Sequence, residues 1–344
     1  MKKILLLFII LVQLSCISET KKPNAKTVVK KSVTANVLSE NDKKKVGKND
    51  YDSALRRTKK FAYNLNFDLD YIRNKGLADK KFLAEYLGLF LKLKKAATTT
   101  AEKEKIKQKV TPFYKKTLEP SFHNMATVND KLFKKNSMSY MRILWLLNEL
   151  DFDTTFYKKE LAKVQNRMDT HMKIRGEWQK AVFDKYYDFF KIKKPSVLKY
   201  ASKLKGPIAY QKPLTYYDRT EAYILTHFVF AAYDYGNKMT QTRFSKKDID
   251  YLAKILPQII TKFEAKNNDD LVGELLTCLV LINKYKTHDF NLSYNRLIRR
   301  QNNDGSFGAY ERTRKKIGSD VEFRQYLHTT LVDIELFIEH HLRK

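Results

Sequence analysis

The sequence predicts an all-α protein. Glycine occurs only 10 times and proline only 7 times in 344 residues, whereas a sheet-rich chain of this length needs many more turn residues. Apolar residues also recur at spacings of three and four through most of the chain, which is the period of an amphipathic helix. Both observations favour long helices joined by few breaks.

The helical period defines a series of predicted helices, taken here in chain order. They cover residues 55–72, 82–93, 101–118, 139–150, 156–172, 178–190, 217–235, 246–266, 269–285, 290–300 and 323–341. Residues 139–150 are apolar nearly all round, which predicts a buried helix. The segment from Pro195 to Pro213, with Gly206 and Pro207 inside it, predicts a loop and the best candidate for a subdomain boundary.

Helices after residue 217 alternate in polarity. Segments 217–235, 269–285 and 323–341 are mostly apolar, whereas 246–266 and 290–300 are more polar. Inner helices of an α/α barrel are surrounded by protein and outer ones face water, so the alternation predicts such a barrel.

The N-terminus reads as an export signal. Lys2 and Lys3 precede an apolar run from Ile4 to Val12, which is too short to span a bilayer. Ser15 then stands directly before Cys16, as in a lipoprotein signal. We therefore expect a signal peptide over residues 1–15 and lipidation of Cys16. The alternative is an ordinary signal peptide with a chance cysteine.

The domain organisation follows from composition. Residues 16–50 are polar and rich in Lys, Ser, Thr and Asn, which predicts a flexible tether. Residues 51–200 are expected to form an N-terminal helical part and 201–344 the barrel-type helical hairpins, or 51–344 a single domain. Cys278 is the only other cysteine, so a lipidated Cys16 leaves no intrachain disulfide. The expected location is the bacterial envelope, at the outer membrane.

The charge of the chain predicts anionic partners. The first fifty residues carry 11 Lys and Arg against 4 Asp and Glu, so +7 of the net charge of +29 lies there and +22 on the rest. Such an excess attracts polyanions. For an exported protein these are acidic polysaccharide or anionic lipid headgroups. Nucleic acid is not expected, since no nucleic-acid-binding motif accompanies the charge. The alternative is a solvated, lysine-rich surface without a partner.

Two C-terminal motifs carry a family resemblance. The loop Gln301-Asn302-Asn303-Asp304-Gly305-Ser306-Phe307-Gly308 and the helix start Tyr326-Leu327-His328-Thr329-Thr330 resemble those of α/α-toroid proteins. That group includes terpene cyclases, protein prenyltransferase β-subunits and lanthipeptide cyclases. The resemblance implies a barrel of helical hairpins with a site at its mouth. It also implies that the Gln301 amide tethers its loop to a neighbouring helix.

The activities of those enzymes do not carry over to this chain. Asp68-Leu69-Asp70-Tyr71 and Asp151-Phe152-Asp153-Thr154 each lack one carboxylate of the terpene cyclases' acid motif. Cys278 lacks the nearby Asp of the prenyltransferase zinc site. The Cys-His pair of the lanthipeptide cyclases is also missing from the sequence. The resemblance therefore bears on fold and not on reaction.

Three polar residues on the predicted inner helices are the candidate catalytic residues. Glu274 follows His227 by 47 residues, and His328 follows Glu274 by 54, each about one helical hairpin. Equivalent positions on successive inner helices would point into one cavity. His227, Glu274 and His328 could bind a divalent metal, act as acid and base without metal, or form a structural polar network.

A second group predicts a basic, aromatic rim that binds its ligand by stacking and ion pairing. Its members are Tyr217, Asp218, Phe307, Tyr310, Arg312, Arg314 and Arg324. The expected function is binding of an acidic glycan or an envelope partner through this rim. The alternative is a hydrolase or lyase with the central His/Glu/His site, metal-dependent or not.

Overall fold

The structure is a computed structural model that describes residues 48–65, 80–308 and 324–343. All regular structure in these ranges is helical and they contain no strand, which confirms the predicted all-α class. Every described residue belongs to one compact unit. The predicted signal peptide, Cys16 and nearly all of the tether lie outside the described residues.

The described residues contain eleven α-helices. Their bounds are α1 Lys48–Asn64, α2 Lys80–Lys95, α3 Thr100–Thr117, α4 Asp130–Glu149, α5 Thr155–Met172, α6 Glu177–Phe189, α7 Arg219–Ala232, α8 Lys246–Glu264, α9 Asp269–Leu281, α10 His288–Arg299 and α11 Arg324–Leu342. Short 3₁₀ turns occupy 120–122 and 124–126 before α4. Four more occupy 196–198, 201–203, 206–208 and 214–216 between α6 and α7.

Local chemistry explains where several helices begin and end. Ser245 and Asp248 form a capping box at the start of α8, each satisfying a backbone N–H of the first turn. The structure ends α7 at Ala232, earlier than the predicted Tyr235. Asp234, Tyr235 and Gly236 have φ values of 51°, 52° and 83°, a left-handed conformation that a helix cannot continue through.

Six of the described helices each pack against the next one of the set, and the last packs against the first. Helix α2 packs against α4, α4 against α6, α6 against α7, α7 against α9, and α9 against α11, while α11 packs in turn against α2. The other helices pack against members of this set: α3 against α2, α5 against α4, α8 and α10 against α9, and α1 against α2 and α11. None of the described helices has the length and apolarity needed to cross a membrane.

Helices α9 and α11 approach closely at Gly273. A Cβ atom there would lie 2.2 Å from Asp333 Oδ1 and 3.0 Å from Val332 Cγ1, so only glycine fits without rearrangement. Helix α9 is buried along almost its whole length. This close contact brings the first turns of α9 and α11 together, where the polar side chains described next are found.

Candidate functional site

His328 lies among three carboxylates near the starts of α2, α9 and α11. Its Nδ1 is 3.1 Å from Glu85 Oε1. Its Nε2 is 3.4 Å from Asp270 Oδ1 and 3.9 Å from Glu274 Oε1. Carboxylates on both sides of the ring favour a proton on each ring nitrogen, because an ionised carboxylate only accepts hydrogen bonds. The geometry therefore indicates an imidazolium.

The electrostatics of the cluster agree with a charged His328. Desolvation opposes protonation, but the charges of Asp270 and Glu85 outweigh it and raise the pKa of His328 to about 9. Desolvation likewise opposes ionisation of Glu85, but Lys81 and His328 outweigh it and lower the pKa of that carboxyl to about 2. Glu85 and His328 therefore form a charged pair at neutral pH.

Glu274 differs from the other two carboxyls. Desolvation and the nearby charge of Asp270 raise the pKa of Glu274 well above its usual range. The Thr226 hydroxyl donates to Glu274 Oε2 at 2.5 Å, and the Tyr223 hydroxyl donates to Asp270 Oδ2. The cluster thus places a protonated carboxyl beside ionised ones. Neighbouring titratable groups whose pKa values are pushed apart are typical of acid and base pairs in active sites.

The cluster is open on one side. The side chains of Glu85 and Glu274 are 2% and 4% exposed, that of Asp270 is 17% exposed, and that of His328 is 34% exposed. Desolvation by the surrounding protein nevertheless has the largest influence on the pKa of His328. His328 is the most accessible member of the cluster, whereas the carboxyls of Glu85 and Glu274 are covered.

His227 lies near this cluster, and its Nδ1 contacts the backbone of its own helix. Its Nδ1 is 2.7 Å from the Tyr223 carbonyl of its own helix, and its ring meets the edge of Trp178 at 4.7 Å between centroids. Desolvation lowers the pKa of His227 to about 4. A carbonyl only accepts hydrogen bonds, so Nδ1 carries the proton of the neutral ring and Nε2 keeps a lone pair.

The structure brings together Glu274 and His328 of the predicted set, with His227 one turn from Tyr223. Among the described residues no group of three or more His, Cys, Asp and Glu side chains is arranged to hold a metal ion. Cys278, one turn after Glu274, is fully buried, and its Sγ lies 3.9 Å from the Thr226 carbonyl oxygen.

Sequence reasoning missed two carboxylates of the cluster. Glu85 is the one carboxylate in the apolar stretch Phe82 to Leu93, a signal like the one that singled out Glu274. Asp270 lies in the first turn of α9, where a negative charge also suits the start of a helix. Neither the apolar period nor the capping pattern shows which side chain faces a neighbouring helix.

Two aromatic residues predicted for the rim are buried instead. Tyr217 is 0% and Phe307 1% exposed. Tyr217 is held by a hydroxyl contact of 2.5 Å with Tyr251, and Phe307 packs on Phe337. Asp218 is exposed and caps α7 by accepting from the Glu221 N–H at 2.9 Å. The remaining rim residues, Tyr310, Arg312, Arg314 and the side chain of Arg324, lie outside the described residues.

Comparison with known proteins adds a family match for part of the chain. Residues 201–336 match the model of a family described as a domain of unknown function (DUF6895). This stretch includes α7 to α10 and most of α11, and so contains Asp270, Glu274 and His328 but not Glu85. No curated protein and no solved structure matches the chain.

Proposed function

We propose that the cluster around His328 is the acid–base site of a hydrolase or lyase that acts on a glycan. The observation that carries the proposal is the charged His328 between Glu85 on one side and Asp270 and Glu274 on the other, with part of its side chain accessible. Protonated Glu274 is suited to donate a proton to a leaving oxygen. His227 Nε2 is suited to accept one.

The aromatic side chains beside the site support a glycan as substrate. Trp178 stands against His227, and Tyr223 lies over Arg219 while bonding to Asp270. Aromatic rings with a polar tip pack against the apolar faces of sugar rings and keep a hydrogen-bonding edge. The carboxyl of Asp270, which accepts from the Tyr223 hydroxyl, is suited to stabilise positive charge that develops on a sugar ring.

We propose that the helices form an α/α toroid. The support for this is the packing order of α2, α4, α6, α7, α9 and α11, in which the last helix also contacts the first. In such an arrangement the six helices would form the inner ring and the intervening ones the outer layer. The polar cluster would then lie at the mouth formed by the starts of α2, α9 and α11.

We propose that the protein is located in the bacterial envelope, at the outer membrane. This proposal rests on the basic and apolar N-terminal residues, on Ser15-Cys16 and on the polar segment that follows. Acyl chains on Cys16 would anchor the chain, and residues 16–50 would serve as a flexible tether. Glycans of the envelope would then lie within reach of the site.

A Glu274→Gln variant tests the acid–base proposal. The full-length protein in detergent is incubated with peptidoglycan, alginate, hyaluronan and heparin, and new reducing ends and unsaturated sugar products are followed. Loss of the acid group should reduce the rate by at least about 100-fold, whereas Glu104→Gln, an exposed control on α3, should not change it. Equal rates for both variants, or no product from any of these glycans with the wild type, would refute the proposal.

Binding of an acidic glycan through the predicted rim is a second candidate function. The net charge of +22 beyond residue 50 favours it. Its remaining support lies in Arg312 and Arg314 with the neighbouring Lys315 and Lys316. Replacing these four by alanine should reduce retention on heparin at modest salt, because each contributes a positive charge. A wild-type protein that is not retained would contradict this candidate.

A further inference from the structure

An exposed set of tyrosines and lysines lies on the 3₁₀ segment between α6 and α7. Tyr200, Tyr210 and Tyr216 are 59%, 76% and 36% exposed, although large aromatic side chains are usually covered in a monomer. Lysines stand beside the rings. We call Lys199, Tyr200, Lys203, Tyr210, Lys212 and Tyr216 the tyrosine–lysine surface.

The lysines are placed against the tyrosine rings. The Lys212 Nζ lies 5.5 Å from the centroid of the Tyr210 ring and 5.3 Å from that of Tyr216. Lys199 and Lys203 flank Tyr200 at 5.3 Å and 5.8 Å. These distances are within the range of cation–π contacts. Each exposed ring is therefore paired with at least one positive charge.

The backbone under this surface is fixed by buried contacts. Gly206 has φ of 51°, and a Cβ atom there would lie 2.1 Å from the Phe228 ring, so the segment presses closely on α7. The Tyr251 hydroxyl donates to the Lys212 carbonyl at 2.6 Å, and the Lys262 ammonium donates to the Tyr217 carbonyl at 2.7 Å. A rigid support lowers the entropy cost of binding.

We propose that the tyrosine–lysine surface binds a linear anionic polysaccharide. Exposed rings on a fixed backbone can stack against sugar rings, and the paired lysines can contact carboxylate or sulfate groups. A lipid surface fits less well. The aliphatic residues of the segment are turned inward: Leu198 and Ile208 are buried, and Leu204 and Leu214 are half-buried. No leucine, isoleucine or valine of this segment is thus exposed for insertion among acyl chains.

The surface reaches the first turn of α7, the helix that also carries Tyr223. The Tyr216 hydroxyl donates to Glu221 at 2.7 Å, and Tyr223 bonds to Asp270. Residues two apart on a helix do not face each other, so the surface and the cluster around His328 are different places on the molecule. Binding to the surface does not require the cluster to be catalytic.

Paired variants test the surface. The double variant Tyr200→Ala and Tyr210→Ala should bind alginate or heparin oligosaccharides at least about fivefold more weakly, because it removes two stacking rings. The Tm should stay unchanged, since both rings are largely exposed. Wild-type protein should bind neither dextran, which is neutral, nor vesicles of anionic phospholipid as tightly as these oligosaccharides.

A charge-matched control separates a built surface from general attraction to a basic protein. Lys199, Lys203 and Lys212 are changed together to Gln, and compared with the same change at Lys103, Lys131 and Lys159, which are exposed on α3, α4 and α5. The first triple variant should weaken binding at least fivefold more than the second, at about 0.15 M salt.

The results that overturn the proposal are distinct. Equal losses in the two lysine variants would show attraction to net charge alone. A tyrosine variant that loses vesicle binding but keeps oligosaccharide binding would assign the surface to a membrane. Wild-type protein that binds neither alginate nor heparin would also overturn it. The Glu274→Gln variant should bind as the wild type does, so failure of the acid–base proposal leaves this one standing.

Discussion

At the scale of single residues, the pair formed by Glu85 and His328 organises the candidate site. Glu85 is almost completely buried, and its partners at the cluster are His328 and Lys81. A buried carboxylate is tolerated only when opposite charges or hydrogen bonds compensate for its lost hydration. The proton on His328 is thus tied to the charge of Glu85, and their contact contributes to both pKa shifts, together with Asp270 for His328 and Lys81 for Glu85.

Glu85→Gln should lower the free energy of unfolding at pH 7 by about 2 kcal/mol, because His328 loses the buried charge that compensates for its own. The pKa of Glu85 is lowered in the folded state, so its contribution is present above the unfolded pKa of about 4 and disappears as the pH falls toward 2. Urea unfolding at pH 7 and pH 3 measures this. A loss that is as large for exposed Glu104→Gln would contradict the account.

The sequence predicted part of this site. Glu274 and His328 stood out as polar residues on apolar helices, and the structure brings them near each other. Glu85 carried a similar signal but lay outside the predicted inner helices. The ring of His227 contacts a carbonyl of its own helix. Which face of a helix a residue occupies depends on packing between helices distant in sequence, and a single sequence does not give this.

At the scale of elements, the helices were predictable and their ends less so. Every predicted segment overlaps a described helix, because the apolar period extends over several turns. Helix α4 begins at Asp130, nine residues before the predicted Ser139. Its first turns contain Lys131, Lys134 and Lys135, which obscured the apolar stripe. Asn129 caps this start by accepting from the Leu132 N–H at 3.0 Å.

The loop from Gln301 to Gly308 is an element fixed by one amide. Gln301 Nε2 donates to the carbonyls of Ala54 and Gly305 at 3.0 Å and 2.9 Å and lies 2.9 Å from Thr58 Oγ1. It thereby ties the loop to α1, as the resemblance to toroid proteins implied. Gly305, with φ of 91°, allows the backbone to approach Arg57.

Gln301→Ala should destabilise the protein by about 2 kcal/mol, because buried partners of the amide lose their hydrogen bond. Asn303→Ala changes an exposed residue of the same loop and serves as the control. Thermal or urea unfolding of both variants makes the comparison. Similar stabilities for the two would show that the loop does not depend on this amide.

At the scale of the whole molecule, three properties combine in the proposal: lipid anchoring, a polar tether and a helical body with an open polar cluster. Three of the six helices that each pack against the next, α7, α9 and α11, are the mostly apolar segments that alternate with polar ones after residue 217. The same alternation is weaker before residue 217, where charged residues are more evenly spread. The sequence therefore did not show which helices before residue 217 would be inner ones and which outer ones.

Cys16→Ala should abolish lipidation, because the thiol is the acceptor of the first acyl chain. Cells expressing the wild type and the variant are labelled with radioactive or clickable palmitate and then separated into membrane and soluble fractions. The wild type should be labelled and found with the membranes. The variant should be unlabelled and released from them. A wild type without label would contradict the proposed anchor.

The account depends most on the charge state of His328, which NMR titration of the histidine side chains measures directly. The spectrum of the wild type from pH 5 to pH 10 is compared with that of His328→Gln to assign the resonance. We predict an apparent pKa of about 9 for His328 that moves toward 6.5 in Glu85→Gln. A wild-type His328 that titrates at or below 6.5 would contradict the charged cluster and the acid–base site built on it.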